Sequence, residues 1–318
     1  MYEDLPSPNN CICLVTKVVV FGGSGFLGSY VADELTGRGY EVVVADIKES
    51  RFIADGQRFV ICDIMHDQEV MNTVADAEVV YNFAGLSDLD ESLRFPRETI
   101  EQNVIGNINI LEACKTAKVS RFVYASSAYA FSNKGYFYGI SKLTSEKIVE
   151  EYSKQFGLAF TIVRYGSLYG ERADHHNGIH RYLRDAIEKQ AIEYRGSGAE
   201  VREYIHAADA AKLSVDIITS EQFINQHTIL TGVERFQIRD VFRMIQEILQ
   251  DEIEINFLDE PGSGHYDVTP YTHYPNMARK LVSNSFIDFG QGLVFCIKHI
   301  EDEIEKQKSN TPDSEIVR

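Results

Sequence analysis

Tyr138 and Lys142 stand four residues apart in Tyr138-Gly139-Ile140-Ser141-Lys142, and on a helix that spacing puts both side chains on one face. Their types suit a base and its activator. A free tyrosine has a pKa of about 10, too high to take a proton at neutral pH; a nearby ammonium and an oxidised nicotinamide ring both favour the phenolate. Lys142 can also hold a nicotinamide ribose. Ser126 and Ser127 precede the pair, and a hydroxyl there can hydrogen-bond a reacting substrate oxygen and share its proton with the phenol. Upstream, Gly22, Gly25 and Gly28 give the spacing GxxGxxG within Gly22-Gly23-Ser24-Gly25-Phe26-Leu27-Gly28. Gly22 suits a tight turn, Gly25 the approach of backbone to a pyrophosphate, and Gly28 the packing of a helix on a strand. The phosphates then meet free amides at a helix N-terminus. Asp46, followed by Ile47, can accept both adenosine ribose hydroxyls and would repel a 2′-phosphate, which favours NAD over NADP although Lys48 and Arg51 stand close by. Asp63, followed by Ile64, could accept an adenine amino group.

These residues act together only if strands and helices deliver them to one place. The hydrophobic pattern predicts strands over Lys17–Phe21, Glu41–Asp46, Phe59–Ile61, Val79–Phe83, Arg121–Ala125 and Phe160–Val163. Between them it predicts helices over Phe26–Arg38, Asp67–Val74, Pro96–Ala117 and Tyr138–Phe156. Strands alternating with helices imply an α/β fold with a Rossmann-type, doubly wound parallel sheet. The glycine turn follows the first strand, Asp46 ends the second and the serines follow the fifth, all at the carboxyl edge where such sheets bind ligands. After about Arg164 the rhythm changes. A polar loop, Tyr169 to Gly178, leads into helices at Ile179–Gln190, about Ala208 to Thr219, Ile238–Leu249 and Leu293–Lys306, with strands at Glu203–Ile205 and Glu252–Phe257. The expected division is a dinucleotide-binding domain over 15–165 plus about 204–232, and a smaller mixed α/β substrate-binding cap over 166–203 and 233–306. Residues 1–14 and 307–318 read as flexible termini.

Composition narrows the partners. A net charge of −17 argues against nucleic-acid polymers, and makes local arginines responsible for capturing any anionic substrate. No apolar run approaches a membrane helix, and the start lacks the features of a secretory signal. Five scattered cysteines fit reduced thiols in the cytoplasm better than a disulfide framework, and Cys11-x-Cys13 lacks the second ligand pair of a zinc site. His176 and His180 have i, i+4 spacing without the glutamate of HExxH, so no metal is expected.

From about Lys17 to Ile304 the sequence resembles the extended short-chain dehydrogenase/reductase family, in its nucleotide-sugar epimerase/dehydratase branch. The resemblance rests on the glycine turn, Asn82-Phe83-Ala84-Gly85, Glu91-Ser92, Asn103, Ser126-Ser127 and Tyr138-x-x-x-Lys142. It also rests on Arg164-Tyr165-Gly166-Ser167-Leu168-Tyr169-Gly170 and Arg202-Glu203-Tyr204-Ile205-His206-Ala207-Ala208-Asp209. Phe83-Ala84-Gly85-Leu86 with Glu91-Ser92 is particularly similar to UDP-sugar 4-epimerases. The resemblance implies Ser127 as hydroxyl partner, Tyr138 as acid/base and Lys142 as activator. It implies cofactor contacts from Gly22, Ser24, Gly25, Phe26, Leu27, Gly28, Asp46, Ile47, Asp63, Ile64, Phe83, Ala84, Gly85, Asn103 and Tyr165. Arg202 would grip a substrate diphosphate, and Ser87, Ser126, Ser127, Ser167 and His265 complete the implied substrate set.

Three departures from the family pattern are visible. Only ten residues separate Ser127 from Tyr138. Ser167 replaces a substrate-contacting Asn. No Arg stands in Pro261-Gly262-Ser263-Gly264-His265-Tyr266-Asp267, where a second diphosphate ligand is common, so His265 or Arg279 is the candidate substitute. A 4,6-dehydratase of the branch has an Asp-Glu pair where this chain has Ala128-Tyr129. The expected activity is therefore an NAD-dependent nucleotide-sugar 4-epimerase working through a transient 4-keto sugar, UDP-sugars being favoured. The alternatives are dehydratase, decarboxylase or reductase chemistry on such sugars, or a non-catalytic NAD-binding regulator. In relatives the helices corresponding to 96–117 and 138–156 pair across a dimer, which implies a homodimer.

Overall fold

The computed structural model describes residues 16–250, 252–258, 265–269 and 278–309. In chain order the first half comprises β1 (Lys17–Phe21), α1 (Phe26–Gly37), β2 (Glu41–Asp46), β3 (Gln57–Ile61), α2 (Asp67–Val74), β4 (Val79–Asn82), α3 (Leu89–Arg94), α4 (Pro96–Ile100) and α5 (Gly106–Ala117). It continues with β5 (Arg121–Ser127), α6 (Tyr136–Phe156) and β6 (Phe160–Tyr165). The second half adds β7 (Ser167–Tyr169), α7 (Gly178–Lys189), β8 (Ala191–Arg195), β9 (Val201–Arg202), β10 (Tyr204–His206), α8 (Ala207–Ile218) and β11 (Gln226–Leu230). It ends with β12 (Phe236–Gln237), α9 (Ile238–Leu249), β13 (Glu254–Leu258), β14 (Arg279–Leu281) and α10 (Phe289–Ser309).

Eight strands form one sheet in the order β14-β11-β6-β5-β4-β1-β2-β3, every neighbour parallel. The order reverses between β1 and β4, the crevice that in doubly wound sheets receives a ligand. The central strands are apolar throughout because helices cover both faces. Val18, Val20, Val42 and Val44 face a core shared with α1 and α8, while Val19, Phe21, Val43 and Val80 face one shared with α2 and α5. A third core lies in the cap, where α7, α9 and α10 bury Leu183, Phe242, Ile245 and Leu293.

The α/β expectation holds, with local differences. Between α4 and α5 the chain makes a π-helical turn over Glu101–Ile105, so Pro96–Ala117 is not one uniform helix. Two strands not read from the sequence, β11 and β14, extend the sheet, and β8 pairs with β13 in the cap. Residues 307–309, expected in the flexible C-terminus, are helical because α10 runs to Ser309, and residues 310–318 lie outside the described residues. Residues 1–15, with Cys11 and Cys13, and the segment Pro261–Gly264 lie outside the described residues.

Candidate active site

The glycine turn comes first. Gly22 sits at φ +71°, and a Cβ there would meet the Ala84 amide nitrogen at 2.5 Å. At Gly28 a Cβ would meet the Gly22 carbonyl oxygen at 2.2 Å, so α1 can approach the turn only without a side chain at this point. No side chain caps the start of α1 at Gly25, which leaves its first-turn amides to whatever occupies the crevice. The Asp46 carboxylate, at the end of β2, accepts the Ser24 amide at 3.1 Å and the Ile47 amide at 2.8 Å. Burial raises its pKa while those amides pull it down. Arg51 is held in an ion pair with Glu303.

After β4, Asn82 accepts the Ala84 amide at 3.0 Å. Asn103, brought into register by the π-helical turn, accepts from the Leu86 amide at 2.8 Å and donates to the Leu86 carbonyl and to Ser141 Oγ, each at 2.9 Å. A Cβ on Gly85 would strike Asn103 Oδ1 at 2.3 Å. Asn103 thus pins the turn from behind.

The end of β5 meets α6 at its first two turns. Tyr138 is hydrogen-bonded by the Ser127 side chain, and burial pushes its phenol up to about 12 while that bond pulls the other way. Lys142 Nζ donates to the Ala125 carbonyl at 2.9 Å and lies 5.8 Å from the centre of the Tyr138 ring. Burial lowers its ammonium pKa to about 8, and Glu146 opposes the fall. Ser126 lines the same space, but its hydroxyl is committed to Glu146.

A cavity of 750 Å³ runs along this edge, lined by Gly22, Gly25, Phe26, Leu27, Gly28, Asp46, Ile47, Asp63, Ile64, Phe83, Ala84, Gly85, Ser126, Ser127, Tyr138, Lys142 and Tyr165. Ser24 and Asn103 act from behind its wall. Asp63 lines it while its carboxylate also accepts the Met65 amide at 2.9 Å. Tyr165 bonds Ser214 at 2.7 Å, with its ring 6.1 Å from Phe83.

A second cavity, 300 Å³, opens from the same Ser127 and Tyr138 into the cap and collects Ser87, Ser167, Arg202 and His265. Arg202 is 7% exposed. Its guanidinium lies over the Tyr266 ring at 4.6 Å and donates to the Val201 carbonyl at 3.1 Å. No carboxylate pairs with it among the described residues. Such a buried cation is costly unless an anion joins it. Ser167 is 3.4 Å from the Tyr266 hydroxyl, and Tyr129 contacts His265 Nδ1 at 2.7 Å. Burial, then Arg202 and Arg181, hold His265 down at about 4, so it is neutral at physiological pH. Arg279 instead contacts Gln222 at 2.9 Å and is not in this cavity.

Sequence reasoning missed Tyr129, Arg181, Tyr266 and the buried Glu146. For Glu146 a signal existed: it continues the i, i+4 face of Tyr138 and Lys142 by one turn. Among the described residues one trio could hold a metal: Asp174, His175 and His176, all exposed, with ligand atoms within 4.8 Å of one another. His180 is buried and not part of it.

Two crevices that share Ser127 and Tyr138, with Lys142 lining the larger, at the carboxyl edge of a doubly wound sheet define a class of dinucleotide enzymes that act on a second bound molecule. Residues 18–231 match the model of the NAD dependent epimerase/dehydratase family, and the chain belongs to that family: it is an enzyme with NAD as cofactor. It is 28% identical over 269 residues to a putative UDP-glucose 4-epimerase of Methanocaldococcus jannaschii, covering 78% of this chain and 87% of that one. It is 27% identical over 266 residues to a UDP-N-acetyl-alpha-D-glucosaminuronate decarboxylase of Bacillus cytotoxicus, covering 75% and 78%. Its fold is similar to the crystal structure of UDP-glucuronic acid 4-epimerase from Bacillus cereus in complex with UDP-glucuronic acid and NAD. That match has TM-score 0.79, 22% identity, and covers 91% of this chain and 100% of the other. The larger cavity fits the cofactor: a side-chain-free cradle at Gly22 and Gly28, an uncapped helix end for phosphates, and a carboxylate on β2.

Proposed function

We propose that the chain is a nucleotide-sugar 4-epimerase, working through a transient 4-keto sugar, with UDP-sugars as the favoured substrates. The observation that carries this reading is Arg202, a buried guanidinium without a carboxylate partner among the described residues, in the cavity that shares Ser127 and Tyr138. A nucleoside diphosphate supplies the missing anion, since a guanidinium fork matches phosphate oxygens. The curated relatives named above act, by name, on UDP-sugars, which supports the choice of nucleotide.

In this reading the residues from the glycine turn to Gly85, with Tyr165, hold NAD, and Ser24 and Asn103 support their loops. When bound, NAD supplies the hydride acceptor and donor. Tyr138 takes the proton from the sugar O4 and later returns it, Ser127 shares that proton, and Lys142 steadies the phenolate. Arg202 anchors the diphosphate while the sugar turns, and Ser87, Ser167 and His265 line its space. Ser126 contributes through the strand end it anchors. Ala128 and Tyr129 offer no acid/base pair for elimination of water, which favours epimerisation over dehydration. The cofactor belongs to residues 15–165 plus about 204–232, and the substrate to the cap over 166–203 and 233–306.

The proposal extends to assembly and setting. Leu93 on α3, Phe95 between α3 and α4, Ile105 between α4 and α5, and Phe137 and Ile140 on α6 are exposed apolar side chains, which supports a homodimer through this face. Cys62, Cys114 and Cys296 are free thiols, and no described helix is long and apolar enough to cross a membrane, in keeping with a cytoplasmic enzyme.

The test is incubation with UDP-glucose, UDP-N-acetylglucosamine and their uronic acids. The C4 epimer is expected without added NADH. A stable keto or unsaturated product, or release of carbon dioxide from a uronic acid, would replace epimerisation with dehydratase or decarboxylase chemistry. Tyr138→Phe is expected to lower turnover about 100- to 10,000-fold while leaving NAD bound. Retained turnover would remove Tyr138 from the chemistry.

A further inference from the structure

Three consecutive residues of β5 each touch one of three residues on a single face of α6. The Ala125 carbonyl takes Lys142, Ser126 Oγ donates to Glu146, and the Ser127 side chain bonds Tyr138. The α6 partners lie at 138, 142 and 146, one stripe at helical spacing. Only the middle contact has no part in the chemistry proposed above, and it is the most elaborately built. Glu146 has no exposed surface. It accepts Arg164 Nε at 2.9 Å and a terminal guanidinium nitrogen at 2.8 Å. Arg164 is itself the β6 residue paired with Ser126 across the sheet. Its guanidinium lies 3.9 Å from the Phe131 ring, in the 3-10 turn that follows Ser127. His227 on β11 completes the cluster, 2.7 Å from Arg164 and 3.0 Å from Glu150.

We propose that Glu146, fastened by Arg164, is a positioning residue that clamps the end of β5 to α6 in the register presenting Ala125 to Lys142 and Ser127 to Tyr138. A buried ion pair gives little net stability over an apolar filling, so its value here is geometric. A one-residue slip of β5 would turn Ser127 to the other face of the sheet. The carboxylate also sits one turn from Lys142, whose ammonium faces the Tyr124 and Tyr138 rings at 5.0 and 5.8 Å, with Arg164, His227 and Glu150 farther along the same cluster. Glu146 therefore supports the charged form of a lysine that burial disfavours.

The inference rests on the proposed roles of Tyr138 and Lys142, so its test must fail separately from theirs. Glu146→Gln leaves Arg164 as a buried unpaired charge and endangers folding; the double variant Glu146→Gln/Arg164→Gln removes both charges and is the variant to measure. The expected result is a folded protein that binds NAD within about threefold of the native chain. Its kcat falls about 10- to 100-fold at little-changed KM. The titration midpoint of Lys142, followed by carbon-13 NMR of its Cε and assigned with Lys142→Met, falls, because the lost carboxylate lies one turn from it on α6 and the lost guanidinium farther along the cluster. A folded double variant with native kcat, or with an unmoved Lys142 midpoint, overturns the proposal. The titration needs no turnover, so it stands even where Tyr138→Phe shows the assumed chemistry to be wrong.

Discussion

Arg202 and Lys142 carry opposite problems of charge. Arg202 is buried with no carboxylate paired to it among the described residues, so replacing it with Met removes an uncompensated cation together with the proposed diphosphate ligand. The expected outcome is a rise in KM for the nucleotide sugar of about 10- to 100-fold, from initial rates, with kcat changed much less and thermal stability kept or raised. Lys142 is a cation held below the ordinary lysine value of 10.5, at about 8. Between those values the folded chain binds fewer protons than the unfolded one. Its destabilising effect is therefore fully present below about 8, and stability rises as pH climbs from there towards about 10.5. Activity should run the other way, falling as the ammonium is lost above about pH 8. Paired melts and initial rates across this range check both slopes, and Lys142→Met should flatten the first. At this scale the sequence was informative where spacing along one element decided the outcome, as for Tyr138, Lys142 and the glycines. It was silent where a contact depends on two strands and a helix meeting. Ser126 and Ser127 are chemically alike, and only the packed structure assigns one to Glu146 and the other to Tyr138.

The turn before α1 and the π-helical turn before α5 do comparable work by different means. Gly28→Ala would press a methyl group to 2.2 Å from the Gly22 carbonyl oxygen and 2.9 Å from the Gly23 Cα, backbone atoms of the turn itself. The expected cost is about 1 to 3 kcal/mol of stability and a clear loss of NAD affinity, read by a melt and by fluorescence titration. An unchanged NAD affinity would separate the turn from the cofactor. The GxxGxxG pattern made this turn legible because glycine is required at fixed offsets. The π-helical turn left no comparable trace: Ile100, Val104, Ile108 and Leu111 continue a helical period through it, and its use is seen only in the three bonds of Asn103. Strand β11 was missed because Gln226-His227-Thr228 opens it with polar residues. Those residues are tolerated because His227 reaches Arg164 and Thr228 bonds the Ile162 carbonyl at 3.3 Å. Strand β14 is three residues long, too short for periodicity to register.

On the whole molecule, the acidic surface and the apolar helices make separate demands. A net charge of −17 repels anionic substrates at a distance, so in the proposed reading capture falls to local cations, Arg202 and its cavity neighbour Arg181. The exposed side chains of Phe137, Ile140, Leu93 and Phe95 form the face proposed for a second copy, and on that proposal Ile140→Glu should turn a dimer into a monomer by light scattering at micromolar concentration. A native chain that is already monomeric would remove that assembly. The order of elements carries one more implication. The polypeptide leaves the sheet layer after β6, returns for α8 and β11, leaves again for α9, returns for β14, and leaves finally for α10. Repeated lacing of this kind means that no single cut frees either lobe. The two halves of the crevice should melt as one body, and a fragment ending before β11 would lack the strand that covers β6.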